Sequence, residues 1–341
     1  MRRTDLHHLV FSGCVMALLA GCSQFKPTGS ATSTGSPTNP LTEGGVSLSR
    51  PSVLVGTNGS GPTLVYKATD SGTAAPYGSL PGCLPALDAQ GNVYLLAVDS
   101  GGCGEYPSSI DVYPSNAVDG PSRIRSLPVG PGKKIANVYD MAVSPEGEIF
   151  VNDGRGVAVF SASANGVDAP VRYIQWDGGG NMPFMPGLIA VDGKDNLYVQ
   201  NGLSIAVFGP DDTGLVVPSR VIGGPHTQLA GLGRMTTDVQ GNLYVTISTG
   251  GFSSDGVLEF NANANGDAVP LRSVSSPEMS NWDGVLGVAV DSSGLIYVRA
   301  TAPYCGAIFV FAANSSGIST PLRKLGGDCP AYDIDGTIAV F

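Results

Sequence analysis

One pattern recurs along the chain and limits its fold more than any other feature. An apolar run, a tight polar turn and a second apolar run return at a period of roughly 42–56 residues. The copies are PALDAQGNVYLLAV (85–98), DMAVSPEGEIFVND (140–153), LIAVDGKDNLYVQN (188–201), MTTDVQGNLYVTIS (235–248) and GVAVDSSGLIYVRA (287–300). Each is followed by a segment resembling I-x-V-F: 109–120, 156–166, 204–214, 256–266 and 307–317, with a further copy at 63–72. Runs this short, rich in Val, Ile, Tyr and Phe and bounded by Gly, Asn, Asp and Pro, read as strands joined by hairpin turns.

A fourth short strand carries the signature P-x-R, at Pro121-Arg123, Pro170-Arg172, Pro218-Arg220, Pro270-Arg272 and Pro321-Arg323. Near Pro76 the arginine is missing. Four strands per repeat, repeated around the chain, specify an all-β fold, a β-propeller. Proline cannot donate to a ladder and a charge discourages edge pairing, so P-x-R suits the outermost strand, its arginine serving as an exposed edge guard.

The two ends settle the number of blades. GTIAVF (336–341) matches GLIAVD (187–192), the first strand of a repeat, and the chain stops there. The segment PSVLVGTNGSGPTLVYK (51–67) supplies a second strand, a turn and a third strand. The expectation is a six-bladed β-propeller over 51–341, its last blade closed by one C-terminal and three N-terminal strands.

The pattern I-x-V-F…G…P-x-R-x-I-x-G…G-I-A-V-D-x-x-G-N-L-Y-V, clearest at 204–247 and 156–200, resembles the NHL-repeat six-bladed propellers. The resemblance implies an architecture and leaves function open, because propellers host binding modules, lyases, hydrolases and oxidoreductases.

Ahead of the repeats, Arg2 and Arg3 precede an apolar stretch from Leu9 to Ala20, which ends in Leu19-Ala20-Gly21-Cys22. The stretch is too short to span a bilayer and reads as a lipoprotein signal peptide over 1–21. Its lipidated residue would be Cys22, and diacylation would tether the mature chain to a membrane of the bacterial cell envelope. Residues 22–50, mostly Ser, Thr, Gly and Pro after the cysteine, bury too little to offset their ordering entropy and read as a disordered tether. Loss of Arg2, Arg3 and Asp5 with the leader takes the net charge from −10 to −11. An acidic surface without a basic run argues against nucleic acid and against any membrane contact beyond the anchor.

Outside the cytoplasm, the even set Cys83, Cys103, Cys305 and Cys329 reads as two disulfides. Three connectivities are possible, and Cys83–Cys103 with Cys305–Cys329 closes the shortest loops. No CxxC spacing suggests a metal.

The chemistry-bearing residues are sparse. Asp88, Asp192, Asp238 and Asp291 recur where a first strand enters its turn. A carboxylate there caps backbone N–H groups, which explains its periodicity better than a calcium ring does. His226 alone remains after removal of the leader, which excludes a mechanism using two histidines. Virginiamycin-B-lyase-like propellers depend on a catalytic histidine, and gluconolactonase-like propellers on carboxylate and Asn metal ligands. The inner strands here carry mainly apolar residues, with Asp140 the main acidic exception. No catalytic residue, metal ligand or cofactor is assigned.

Strand alternation places the second-to-third loops and the loops between blades on one face. That face takes the four cysteines and Trp176, Phe184, His226, Trp282 and Tyr304, a candidate binding face of loops on a rigid scaffold. The opposite face is expected to be plain, with short turns and polar links. The leading expectation is a monomeric, lipid-anchored binding or assembly module whose ligand or envelope partner is unidentified. The alternative is an extracytoplasmic metal-dependent hydrolase or lyase with its site at the central-channel mouth, near Asp140, His226 and Asp283.

Overall fold

A computed structural model describes residues 52–57, 61–98, 107–117, 122–176, 187–248, 255–279, 282, 284–302, 305–327 and 337–341. They form six small sheets of at least four strands each, antiparallel within every blade. Blade 1 comprises Cys83–Leu87, Val93–Val98, Pro107–Tyr113 and Arg125–Pro128. Blade 2 comprises Asp140–Val143, Ile149–Asn152, Val157–Phe160 and Arg172–Gln175. Blade 3 follows with Ile189–Val191, Leu197–Asn201, Ser204–Phe208 and Arg220–Ile222. Blade 4 is built from Leu232–Thr237, Leu243–Ile247, Gly256–Phe260 and Arg272–Ser275. Blade 5 uses Gly284–Val290, Ile296–Ala302, Cys305–Phe311 and Arg323–Gly326. Blade 6 joins the C-terminal Ile338–Val340 to Ser52–Val55, Thr63–Lys67 and Gly78–Leu80.

The expected closure is therefore observed: Val53, Leu54 and Val55 pair with Val340, Ala339 and Ile338. The six first strands pack each against the next in a closed circuit and line a central channel. Because side chains alternate across a strand, both faces of each blade are apolar. Six hydrophobic clusters result, one in each seam between blades. Tyr94, Val112, Met141 and Phe160 fill the first seam, and Leu54, Val65, Val93 and Leu95 fill the closing one.

Outer edges are managed differently from the expectation. The third-to-fourth link of one blade turns back over the outer strand of the preceding blade. Gly214–Leu215 adds a parallel strand to blade 2, and Gly317–Ile318 adds one to blade 4. Gly72 and Gly266 bridge to blades 5 and 3, and the Gly166 N–H reaches Ser126 O at 2.8 Å. These five repeat glycines have φ between 58° and 75°, and a Cβ added at any of them would meet nothing within 4 Å, so backbone conformation alone selects glycine.

In blades 2, 3 and 4 the P-x-R arginine is a cross-blade clamp rather than an exposed edge guard. Arg220 donates to Ala262 O and Ala264 O in the next blade at 2.8 and 3.0 Å. Arg272 reaches Ala313 O and Ser315 O at 2.6 and 2.7 Å, and Arg172 reaches Asp212 O at 3.5 Å. In blade 1 the register differs by two residues. Arg125, not Arg123, occupies the clamp position and donates to Ala162 O, while Arg123 lies outside and pairs with Asp111. An edge charge and a cross-blade clamp share one sequence signature, and only the following link distinguishes them.

Candidate functional site

The recurring aspartates are turn caps. Oδ1 of Asp88, Asp192, Asp238 and Asp291 accepts the N–H groups two and four residues on, at 2.8–3.0 Å. Oδ2 accepts the hydroxyl of the tyrosine six residues on, at 3.1–3.4 Å. Arg125, Arg272 and Arg323 donate to the same tyrosine oxygens in turn. The carboxylates are thus spent on structure. Burial, then the neighbouring aspartate, pushes the Tyr94 and Tyr297 hydroxyls up to about 12.

The loop face of the channel behaves otherwise. The residue one place ahead of the repeat's apolar tier differs from blade to blade: Leu84, Asp140, Leu188, Arg234, Gly287 and Thr337. The inner strands of blades 1, 4 and 5 each carry a β-bulge there, between Cys83 and Ala86, Leu232 and Met235, and Val285 and Gly287. Bulges re-aim side chains. Leu84, inside the first, has φ 52°, a left-handed conformation that a branched residue seldom adopts.

Arg234, brought inward in this way, forms an ion pair with Asp140 from two blades away. Asp140 is almost wholly buried, and its second oxygen accepts the Ile189 N–H at 2.8 Å. Second-strand side chains brace the tier. Asn152 Nδ2 donates to Gly187 O at 2.7 Å, Gln200 joins Leu188 N and Leu232 O, and Thr246 Oγ1 bonds Arg234 O at 3.2 Å. Arg299, also buried, pairs in register with Gly287. Leu84, Arg234 and Thr337 of the tier border a channel cavity of about 180 Å³, otherwise walled by Pro, Leu, Met, Val, Ile, Ala and Thr of the first strands. A wider bowl of about 530 Å³ lies at the opposite mouth, beside the turn aspartates and Phe341.

The sequence-derived candidates are dispersed. Trp176 is partly buried against blade 3, its ring 6.3 Å from that of Phe208, edge on. Trp282 is buried and meets Phe309 in the same manner at 6.1 Å. His226 is exposed in a short 3-10 turn, Pro225–Thr227, where Nδ1 lies 2.5 Å from Asp267 Oδ2. That contact holds the Asp267 carboxyl below its ordinary value. Cys83 is buried at the start of blade 1, its sulfur 3.5 Å from Leu96 O. Cys305 opens the third strand of blade 5. Phe184, Tyr304, Asp283, Cys22, Cys103 and Cys329 lie outside the described residues.

Asp140 and His226 are not brought together: Asp140 pairs with Arg234 on the inner strands, and His226 pairs with Asp267 at the outer strand of blade 3. Among the described residues no group of three or more His, Cys, Asp and Glu side chains is arranged to hold a metal. The links of the opposite face are less polar than expected: Val167, Leu215, Val217, Val269 and Ile318 are each two-thirds or more exposed. Arg234, Asn152 and Gln200 escaped the sequence reading because their signal is a departure from the repeat, visible once the six copies are aligned strand by strand.

No protein-family profile and no curated protein matches the chain. Solved structures do. A protein of unknown function from Bacteroides caccae is 11% identical over 85% of this chain and 98% of its own, with a TM-score of 0.53. PorZ of Porphyromonas gingivalis, a surface component of the type-IX secretion system, is 16% identical over 78% of this chain and 36% of its own, at 0.45. A streptogramin B lyase is 13% identical over 80% and 74%, at 0.40. At these identities the first likeness establishes the propeller fold alone.

Proposed function

We propose that the protein is a lipid-anchored, extracytoplasmic binding module of the NHL-repeat type whose site is the loop-face mouth of its channel. The observation that carries the reading is the tier of Leu84, Asp140, Leu188, Arg234, Gly287 and Thr337. Where repeats agree, as at the turn aspartates, the shared role is structural. Where the copies diverge at one height, around a buried ion pair and three bulges, the repeat supplies no reason for the residues, and function does.

Second strands run from the link face to the loop face, so the chain enters at Ser52 on the link face. Disulfides Cys83–Cys103 and Cys305–Cys329 would staple the loops of the loop face.

The test is capture of ligand or partner from the protein's own envelope by the anchored wild type, Arg234→Gln and Val217→Glu. The reading expects the retained species to be lost with Arg234→Gln and kept with Val217→Glu on the link face. The opposite result moves the site off the loop face and sinks the proposal.

A further inference from the structure

The link-face mouth of the channel is built on a different plan from the tier. Its wall is one ring of Leu87, Val143, Val191, Thr237, Val290 and Val340, each ending a first strand at the same register. Five are aliphatic, and the Thr237 hydroxyl is already taken by Val191 O at 2.9 Å. All but Val191 stay partly exposed in the bowl of about 530 Å³. Aliphatic side chains left wet in a concavity favour an apolar body that displaces the water.

The lip comes from the turns. One place beyond the capping residue the blades present Ala89, Pro145, Gly193, Val239 and Ser292. Asp88, Asp238 and Asp291 are the only charged side chains among the described lining residues. Each accepts four hydrogen bonds from its own hairpin, which fills the roughly four lone-pair positions of a carboxylate. A cation finds no open acceptor on them, and an anion meets their charge, so the lining favours an uncharged body. The Phe341 ring lies against Gly91 of the blade 1 turn and gives the bowl one aromatic side.

Gly193 is the lip position without a side chain. Its φ is not left-handed, and an added Cβ would meet only Pro145 Cγ, at 4.0 Å across the lip. The fold therefore does not require glycine there, and its bareness keeps the bowl open between blades 2 and 3.

We propose that the bowl binds an uncharged, apolar small molecule, its body against the ring of first-strand ends and one side against the Phe341 ring. The first strands close on one another, so the wall bounds the bowl all round and suits a discrete molecule rather than an extended chain. A volume of about 530 Å³ falls within the range of small-molecule sites, about 300–1,000 Å³. The site lies at the end of the channel opposite the tier and does not rest on the loop-face reading.

Titration with Nile red, an uncharged apolar dye, tests it on the chain from residue 22 onward, with Cys22→Ser so that no acyl group competes for the dye. The expected result is saturable, one-to-one binding with a blue-shifted emission. Decanol should displace the dye. Decanoate and decylammonium, with the same tail, should each need about ten times the concentration or more, because their charge would have to leave water. Gly193→Trp, roofing the bowl toward Pro145, should abolish binding while melting as wild type does. Val239→Lys, at a lip position already 74% exposed, should weaken binding several-fold. Leu203→Trp, which puts the same ring on an exposed loop-face hairpin, should bind as wild type does. No saturable binding, binding unchanged in both lip variants, or tighter competition by decylammonium than by decanol would each overturn the assignment. So would a dimer of the ligand-free chain that Gly193→Trp dissociates in sedimentation, because the bowl would then belong to a second copy.

Discussion

Blades 1, 3, 4 and 5 and the closing blade 6 meet one packing requirement with different chemistry. In the four ordinary blades an aspartate caps the turn and accepts a tyrosine hydroxyl. An outer-strand arginine stands beside that tyrosine, and in blades 1, 3 and 4 it also clamps the next blade's link. Strand register places Phe341, Leu54 and Gly78 at the three corresponding positions of blade 6. The polar relay is absent there as a unit. Blade 2 stands between: Ser144 caps the turn, Phe150 replaces tyrosine, and Arg172 lies over its ring and pairs with Glu148. The relay is a cooperative device, because a tyrosine without its aspartate would leave a polar group poorly satisfied in a seam, and where the tyrosine is lost, as in blade 2, the arginine takes a carboxylate partner instead. Where the two chain ends meet, apolar packing and backbone pairing do the joining instead.

The comparison breaks most visibly at Leu54, fully buried between blades 6 and 1. Leu54→Ala should cost about 2–5 kcal/mol, as large-to-small changes in tightly packed cores do. Urea unfolding should show this loss exceeding that of Tyr198→Phe at the matching position of blade 3. An equal or smaller loss would mean that closure does not depend on apolar packing.

Much of this was legible beforehand. The hairpin repeat, the capping role of Asp88 and its counterparts, and the closure by 336–341 follow from patterns local to a few residues. The arginine clamp did not, because its acceptors are carbonyls about 40 residues on, and carbonyls carry no sequence signature. The slip of two residues from Arg123 to Arg125 was hidden by the intervening Ile124. The loop-face tier was half seen: Asp140 stood out as an acid in an apolar strand, but its partner Arg234 lies 94 residues away. Trp176 and Trp282 were legible as loop aromatics, but nothing local tells whether such a ring faces solvent or folds onto a blade.

A subtler contrast concerns two arginines that look identical in sequence. Arg220 holds two carbonyls of the next blade. Among the described residues Arg323, at the seam with blade 6, hydrogen-bonds only its own Tyr297, and its buried Nε has no partner there. Arg220→Gln should cost about 1–3 kcal/mol, with a coupling to Tyr198→Phe of about 0.5 kcal/mol or more in a double-mutant cycle. Arg323→Gln should stay within about 0.5 kcal/mol of wild type. Equal losses in chemical denaturation would show that the clamp's worth lies in its contact with tyrosine, which both share, rather than in the cross-blade bonds.

The smallest effect appears only in alkali. Tyr94 and Tyr297 are raised to about 12, by burial first and by Asp88 or Asp291 second, with Arg125 or Arg323 opposing. An unfolded tyrosine ionises near pH 10. Between those values the unfolded chain releases protons that the folded chain retains, so stability is intact below about pH 10 and declines as pH rises toward about 12. Blade 6, with Leu54 in the tyrosine position, lacks this relay tyrosine. Tyr94→Phe should therefore be less stable than wild type at neutral pH, and the difference should narrow as the pH climbs through that window. Urea midpoints measured across it, with the phenolate ultraviolet band followed in parallel, read the effect. Two curves that stay parallel to the alkaline limit would mean that the Tyr94 hydroxyl ionises in the folded blade as readily as in the unfolded chain. Its place in the relay between Asp88 and Arg125 would then have no energetic weight.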